Sequence, residues 1–202
     1  VQVFDDIGLT FGSTLRSILR QDPDVLLIGE IRDGETADIA VKFSLTGHLV
    51  FSTVHANDAP GTLTRLLDIG IAPFLVGSCL NLVMAQRLVR KLCDKCKEEY
   101  VPTAEELALI GLTKKDVKKK LYKAKGCADC RNTGYRGRTA IFEMIPMARE
   151  LRKLVFDSAN EDEIRQAAIK NGMVTLRDAG NERVLDGTTS IEEVLRSTVE
   201  DL

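Results

Sequence analysis

The chain has 202 residues, 44% of them hydrophobic and 29% charged, with a formal net charge of −2. That balance is ordinary for a globular protein of one or two domains, and it argues against a chain given over wholly to nucleic-acid binding. The longest apolar stretch, 74–85, is broken by Gly77, Ser78 and Asn81; it falls short of the roughly 18–20 residues that a membrane span needs. No N-terminal segment has the layout of a signal peptide. The chain opens on VQVFDDIGLTF with no Met before it, which reads as the middle of a longer protein.

In chain order, STLRSILRQ places Leu15, Ile18 and Leu19 on one helical face and stops at Asp22-Pro23. VLLIG is short, continuous and apolar, the pattern of a buried strand. ETADIAVKFSLTG reads as a helix with Ala37, Ala40, Val41, Ser44 and Leu45 on one face and Gly47 just past its end. HLVFSTV is a second strand. PGTLTRLLDIG is a helix with Pro60 near its start and Gly70 as its stop. PFLVGSCLNLVMAQRLVRKL reads as one longer, mostly buried helix, and Cys79 within it as a small buried hydrophobe. Strand, helix, strand, helix at this spacing is an α/β layout with parallel strands. The strand GRTAIFEMI follows much later. Four short helices then run to the end, the last opened by Ser190 and Glu193 as a capping box.

Two CxxC pairs, Cys93/Cys96 and Cys127/Cys130, stand 30 residues apart. Zinc takes four soft ligands in a tetrahedron, and each CxxC supplies two thiolates from one tight turn. Gly126 before the second pair and Gly134 after it suit such turns. The lysine-rich stretch between the pairs holds few large apolar residues, so a metal is expected to stand in for a core there. With four cysteine ligands the site would be closed and structural. Paired CxxC motifs in a cytosolic chain make disulfides the weaker reading.

Two polar groups sit at strand ends. Glu30 follows VLLIG, and Arg32 and Asp33 crowd beside it in GEIRD. His55 follows the second strand in STVHAN. In an open α/β sheet the carboxyl ends of the strands line the ligand crevice. A carboxylate there can orient or deprotonate water or help hold Mg²⁺, and a histidine can donate a hydrogen bond to a phosphate. Taken singly, Glu30 reads better as a plain strand-end residue, and His55 reads equally well as a loop cap. His48, which precedes its strand, reads as structural. A phosphate loop of the form G-x-x-x-x-G-K-[ST] is absent from the sequence, and no glycine is followed by lysine at all.

The segments LRSILRQDPDVLLIGEIRD, SLTGHLVFSTVHANDA, TRLLDIGIAPFL, AQRLVRKLC and GYRGRTAIFEM together resemble the secretion ATPases of type II secretion and type IV pilus assembly. The resemblance runs from residue 1 to about 145 and continues more weakly in MVTLRDAG and VLDGTTSIEEVL. It implies an α/β fold: an incomplete RecA-like parallel-sheet core over 1–92, a tetracysteine zinc element over 93–143 and a C-terminal helical region over 144–202. In that family GEIRD is the Walker B element and STVHAN the His box. The resemblance therefore makes Glu30 and His55 the catalytic pair and places Arg32 and Asp33 on the nucleotide side; Arg16 and Arg20 stand as further phosphate or inter-subunit contacts. It implies ATP and Mg²⁺ in a longer parent chain, a structural Zn²⁺ on Cys93, Cys96, Cys127 and Cys130, and a homo-hexamer. It further implies a cytoplasmic motor held at the inner membrane through a platform protein, with no direct nucleic-acid or membrane contact. The phosphate loop would lie upstream of residue 1, so this stretch alone is expected to be inactive.

The main competing reading is a non-enzymatic zinc ribbon that binds protein or nucleic acid. Residues 93–138 carry 12 Lys/Arg against 7 Asp/Glu, whereas residues 157–202 carry 5 against 11, and such asymmetry can mark a docking surface. Nucleic-acid grips usually add aromatic platforms, and this stretch offers only Tyr100, Tyr122 and Tyr135. Retraction-type and conjugation-type motors, which lack the tetracysteine element, are disfavoured.

Overall fold

The computed structural model describes residue 6 and residues 11–117 and 119–198. The chain forms two compact units from non-consecutive stretches. One comprises residues 1–83 and 145–172, the other residues 84–144 and 173–202. The stretch 144–202 is thus shared between the units and is not one separate body.

In the first unit, α1 (Phe11–Leu19) precedes β1 (Val25–Ile28), α2 (Gly34–Leu45) and β2 (Leu49–Ser52). The two strands pair in parallel, Val25 opposite Leu49 and Ile28 opposite Ser52, as expected for strands joined by a crossover helix. Helix α2 begins where the Asp33 side chain accepts a hydrogen bond from the Thr36 N–H. Of the apolar face read from the sequence, Ala37, Ala40 and Val41 are buried; Leu45 is exposed, and Ile39 and Phe43 are buried in addition. The strands themselves are not buried on both sides. Leu26 and Ile28 are covered, but Val25, Leu27, Leu49 and Phe51 are exposed, Leu27 at 75%. Alternate strand residues point to opposite faces, and among the described residues only one face of this two-stranded sheet is covered.

Helix α3 (Ala59–Asp68) starts at Asp58, whose carboxylate accepts from the Gly61 N–H at 2.8 Å, with Pro60 in its first turn. Pro73 and Cys79 bound α4. The single long helix expected from residue 73 onward does not exist. The chain leaves the helix at Leu80, which has extended φ and ψ, and continues as β3 (Leu82–Leu92). Val83, Ala85, Val89 and Leu92 are buried and Leu82, Met84 and Leu88 exposed, close to a period of two, and the density of apolar residues hid that alternation. Cys79 ends α4 half-buried, and burial raises its thiol pKa. Helices α6 (Arg149–Phe156) and α7 (Glu161–Lys170) complete the unit: α6 packs on α4, and α7 on α3 and α6. The Arg165 guanidinium joins α7 to the start of α3, 2.7 Å from Asp58 and 2.6 Å from Glu161.

The second unit holds most of β3 and most of β6 (Tyr135–Pro146), which pair with each other. It also holds the antiparallel pair β4 (Glu98–Tyr100) and β5 (Leu121–Lys123). Helix α5 (Ala104–Leu109) opens with a full capping box between Thr103 and Glu106, and α8 (Leu176–Leu185) and α9 (Ile191–Ser197) close the chain. The stretch between the CxxC pairs does have a core. Leu107, Ile110 and Leu121 are buried together with Val184, Ile191 and Val194 of the last two helices. The few apolar residues there suffice because distant helices supply the other half. Ser190 caps α9 by accepting from the Glu193 N–H, but the Glu193 carboxylate is taken elsewhere. It is fully buried and bonds the Arg90 backbone N–H at 2.9 Å and the guanidiniums of Arg90 and Arg196, each at 2.6 Å. Burial works against its charge, yet Arg196 and Arg90 outweigh it and bring its pKa down to about 2. Arg90 also lies 4.0 Å over the Tyr135 ring, whose hydroxyl is 2.7 Å from Ser190 Oγ.

Candidate functional site

Glu30 sits two residues past the end of β1 and His55 three past the end of β2. Because the strands are parallel and in register, both side chains emerge at the same edge. His55 Nε2 lies 2.9 Å from Glu30 Oε2. The Arg32 guanidinium pairs with the other oxygen of the same carboxylate. Thr53 locks this corner from both sides of Glu30: its hydroxyl donates to the Gly29 carbonyl at 2.6 Å, and its carbonyl accepts from the Ile31 N–H at 2.9 Å. Thr53 was not singled out from the sequence, although it lies inside STVHAN; a hydroxyl one residue past a strand says nothing of its partner until the second strand is placed.

Hydrogen bonding from Arg32, and then from His55, lowers the Glu30 pKa below the usual carboxylate range, and the same pair raises that of Arg32. Glu30 is therefore ionised at neutral pH. His55 is open to solvent, at 85% exposure of its side chain, so an incoming anion can reach it. Asp33 does not join this group. One of its oxygens accepts from the Thr36 N–H at 2.8 Å and the other from the Thr36 hydroxyl at 3.2 Å, so it serves as the N-cap of α2. An aspartate directly before GETADIA was a legible cap signal that the charge-rich motif obscured. Arg16 is held by Glu35 at 2.6 Å. His48 stacks on Phe43 with ring centroids 4.0 Å apart and bonds back to the Phe43 carbonyl, a structural role.

In the second unit, the four cysteine sulfurs lie within 4.8 Å of one another. Cys93 and Cys127 are 4.0 Å apart, and Cys96 and Cys127 each lie 3.8 Å from Cys130. A disulfide would need about 2.05 Å, whereas four sulfurs on a tetrahedral zinc at about 2.3 Å stand about 3.8 Å apart. The second pair forms a tight knuckle. Cys130 Sγ accepts from the N–H groups of Cys127 and Gly134, both at 3.2 Å, which favours a thiolate. Burial pushes the Cys130 thiol up, but those N–H groups prevail and lower it to about 6; at Cys96 burial prevails and raises the thiol to about 12. Gly134 takes φ +76°, and a Cβ there would stand 2.5 Å from that of Ala124, so no other residue closes this turn. The four cysteines thus form a cluster able to hold a metal ion.

Residues 1–196 match the family described as Type II/IV secretion system protein. The chain is 52% identical over 204 residues to the type IV pilus assembly ATPase PilB of Myxococcus xanthus, covering 100% of this chain and 36% of that protein. It is 49% identical over 200 residues to the type II secretion system protein E of Pseudomonas aeruginosa, covering 99% of this chain and 39% of that one. It thus spans less than two fifths of the length of either relative. Its α/β fold is similar to that of the pilus retraction motor PilT solved with bound ADP, with a TM-score of 0.64 over 95% of this chain and 44% of that one at 21% identity. No described helix is long and apolar enough to cross a membrane. The chain belongs to the Type II/IV secretion system protein family.

Proposed function

We propose that this chain is the C-terminal part of the motor domain of an ATPase that powers pilin or pseudopilin assembly, in type II secretion or type IV pilus biogenesis. The observation that carries the reading is the Glu30–His55 pair at 2.9 Å, at the carboxyl ends of two parallel strands. The similarity to proteins named as pilus assembly and type II secretion ATPases supports it. In this reading β1 and β2 are two strands of a larger RecA-like parallel sheet. The uncovered Val25, Leu27, Leu49 and Phe51 support that, because an apolar sheet face is normally covered. Functionally, residues 1–92 carry the hydrolysis residues, 93–143 the metal element and 144–202 the helices that brace both. The parent works as a cytoplasmic homo-hexamer at the inner membrane, where a platform protein receives its motion.

Mg·ATP supplies the phosphoryl group to be transferred. Glu30 orients the attacking water and takes up its proton. While Arg32 holds the carboxylate it is a weak base, so release of Arg32 toward negative charge on the nucleotide would raise its basicity at the moment it is needed. His55, exposed and bonded to Glu30, donates to the terminal phosphate. Asp33 contributes by fixing the start of α2, and Arg32 is the residue that faces the nucleotide. Cys93, Cys96, Cys127 and Cys130 hold a structural zinc, for which their thiol chemistry and spacing fit. The test is Glu30→Gln in the full-length parent, with nucleotide binding and turnover measured separately. Loss of turnover with binding intact supports the reading, and near-normal turnover removes Glu30 from the site.

A further inference from the structure

The metal-bearing unit carries a groove that the motor reading does not use. It has a volume of about 350 Å³ and is lined by Val101, Pro102, Leu107 and Val117, with Lys114, Lys119 and Lys120 on its walls. Among the described residues, no acidic side chain lines it. Its floor rests on the packed core of this unit, since Leu107 belongs to that core and Val117 packs against it. Val101 at its mouth is 74% exposed.

The lysines of this unit divide into two groups. Lys95, Lys97 and Lys125 are each paired with an aspartate or glutamate, as is Lys120 with Glu99 at 3.3 Å. Lys114 and Lys119 make no ion pair among the described residues. The surrounding sequence, residues 112–125, has seven lysines and a single acid, Asp116, and Asp116 is occupied by Thr113 at 2.6 and 2.8 Å. An apolar floor with two lysines on its walls that have no ion pair among the described residues, Lys114 and Lys119, is complementary to a ligand that is apolar at its centre and anionic at its edges.

We infer that this groove docks an acidic amphipathic segment of a partner protein, an apolar side chain entering between Val101 and Val117 and flanking carboxylates meeting Lys114 and Lys119. The shape favours this occupant over other anions. A bilayer presents a broad flat surface, whereas Val101, Pro102 and Val117 line a recess with Lys114 and Lys119 beside it, which a single projecting side chain fits. A nucleic-acid strand is gripped through stacking on aromatic rings, and among the described residues none lines the groove. Lysine, a mobile point charge, suits carboxylates of varied geometry. The inference stands on this unit alone and does not depend on the Glu30 site.

The experiment uses the 202-residue chain and a short fluorescein-labelled peptide with leucines on one face and glutamates on the other, read by anisotropy at physiological ionic strength. The same peptide with glutamine for glutamate, phosphatidylglycerol vesicles and a single-stranded oligodeoxynucleotide are run beside it. Saturable binding of the acidic peptide is expected. Lys114→Glu with Lys119→Glu should weaken it about tenfold, as two reversed surface charge pairs would, and Val101→Asp should weaken it too. Lys115→Glu, on the same loop but outside the groove, should change it little. Bound metal and the far-ultraviolet circular dichroism spectrum report whether each variant folds, and Lys114→Gln with Lys119→Gln replaces any that does not. Lack of saturable peptide binding, equal loss in Lys115→Glu, or a preference for vesicles or oligonucleotide would overturn the inference.

Discussion

Glu30 and His55 are 25 residues apart in sequence and 2.9 Å apart in space, the carboxylate shared between the imidazole and the Arg32 guanidinium. In the full-length parent, Glu30→Gln keeps the shape and removes the charge. Turnover should fall by about 10²–10⁴, the range of a lost general base, while ATP still binds. His55→Ala should slow turnover less, and neither change should alter metal content. Single-turnover hydrolysis alongside equilibrium nucleotide binding separates the two effects.

The 202-residue chain by itself should neither bind nor hydrolyse ATP measurably. Phosphate affinity in such motors comes from backbone N–H groups and a lysine of a loop that this sequence lacks. One hydrogen bond from His55, about 1 kcal/mol net, does not offset a binding cost of several kcal/mol. Isothermal titration with Mg·ATP is the check. A micromolar dissociation constant would mean that other residues build the phosphate site.

Purified without added metal, the chain should carry about one zinc equivalent on its four thiolates. Cys127→Ser should loosen the second unit, residues 84–144 and 173–198, while amides of the first unit keep their protection against hydrogen exchange. Uniform loss of protection would show that the two units unfold as one.

Glu193 predicts an acid transition. Its pKa falls from 4.5 to about 2 in the folded chain, so the folded state binds its proton less readily than the unfolded state. The stabilisation is complete above about pH 4.5 and is lost as pH falls toward 2, on the order of 3 kcal/mol in all. Glu193→Gln should be less stable at neutral pH and should flatten this part of the stability curve. Denaturant melts at stepped pH measure it; parallel curves for the two proteins would remove Glu193 as the cause.

Leu27 and Phe51, opposite one another in register and both exposed, should make the isolated chain self-associate through its bare sheet face. Leu27→Lys with Phe51→Lys should shift it toward monomer in sedimentation velocity. Unchanged association would place the contact elsewhere.

Local chemistry made much of this protein legible in its sequence. The period of α2, the apolar runs of β1 and β2, the proline opening α3 and the paired CxxC motifs each depend on near neighbours, and each appears where the pattern placed it. The parallel α/β layout followed from their order. Other features depended on partners far along the chain. Residues 82–92 are apolar enough to read as helix, and pairing with β6 makes them a strand. The stretch between the cysteine pairs looked too polar for a core because Val184, Ile191 and Val194 supply half of it. Glu193 fitted a capping box by spacing alone; Arg90, 103 residues earlier, takes its carboxylate because a buried charge requires a countercharge. Asp33 looked like part of the charged site until the Thr36 N–H claimed it. Hydrophobic period and turn chemistry are set by residues a few positions apart, whereas burial and ion pairing are set by whichever distant segment arrives.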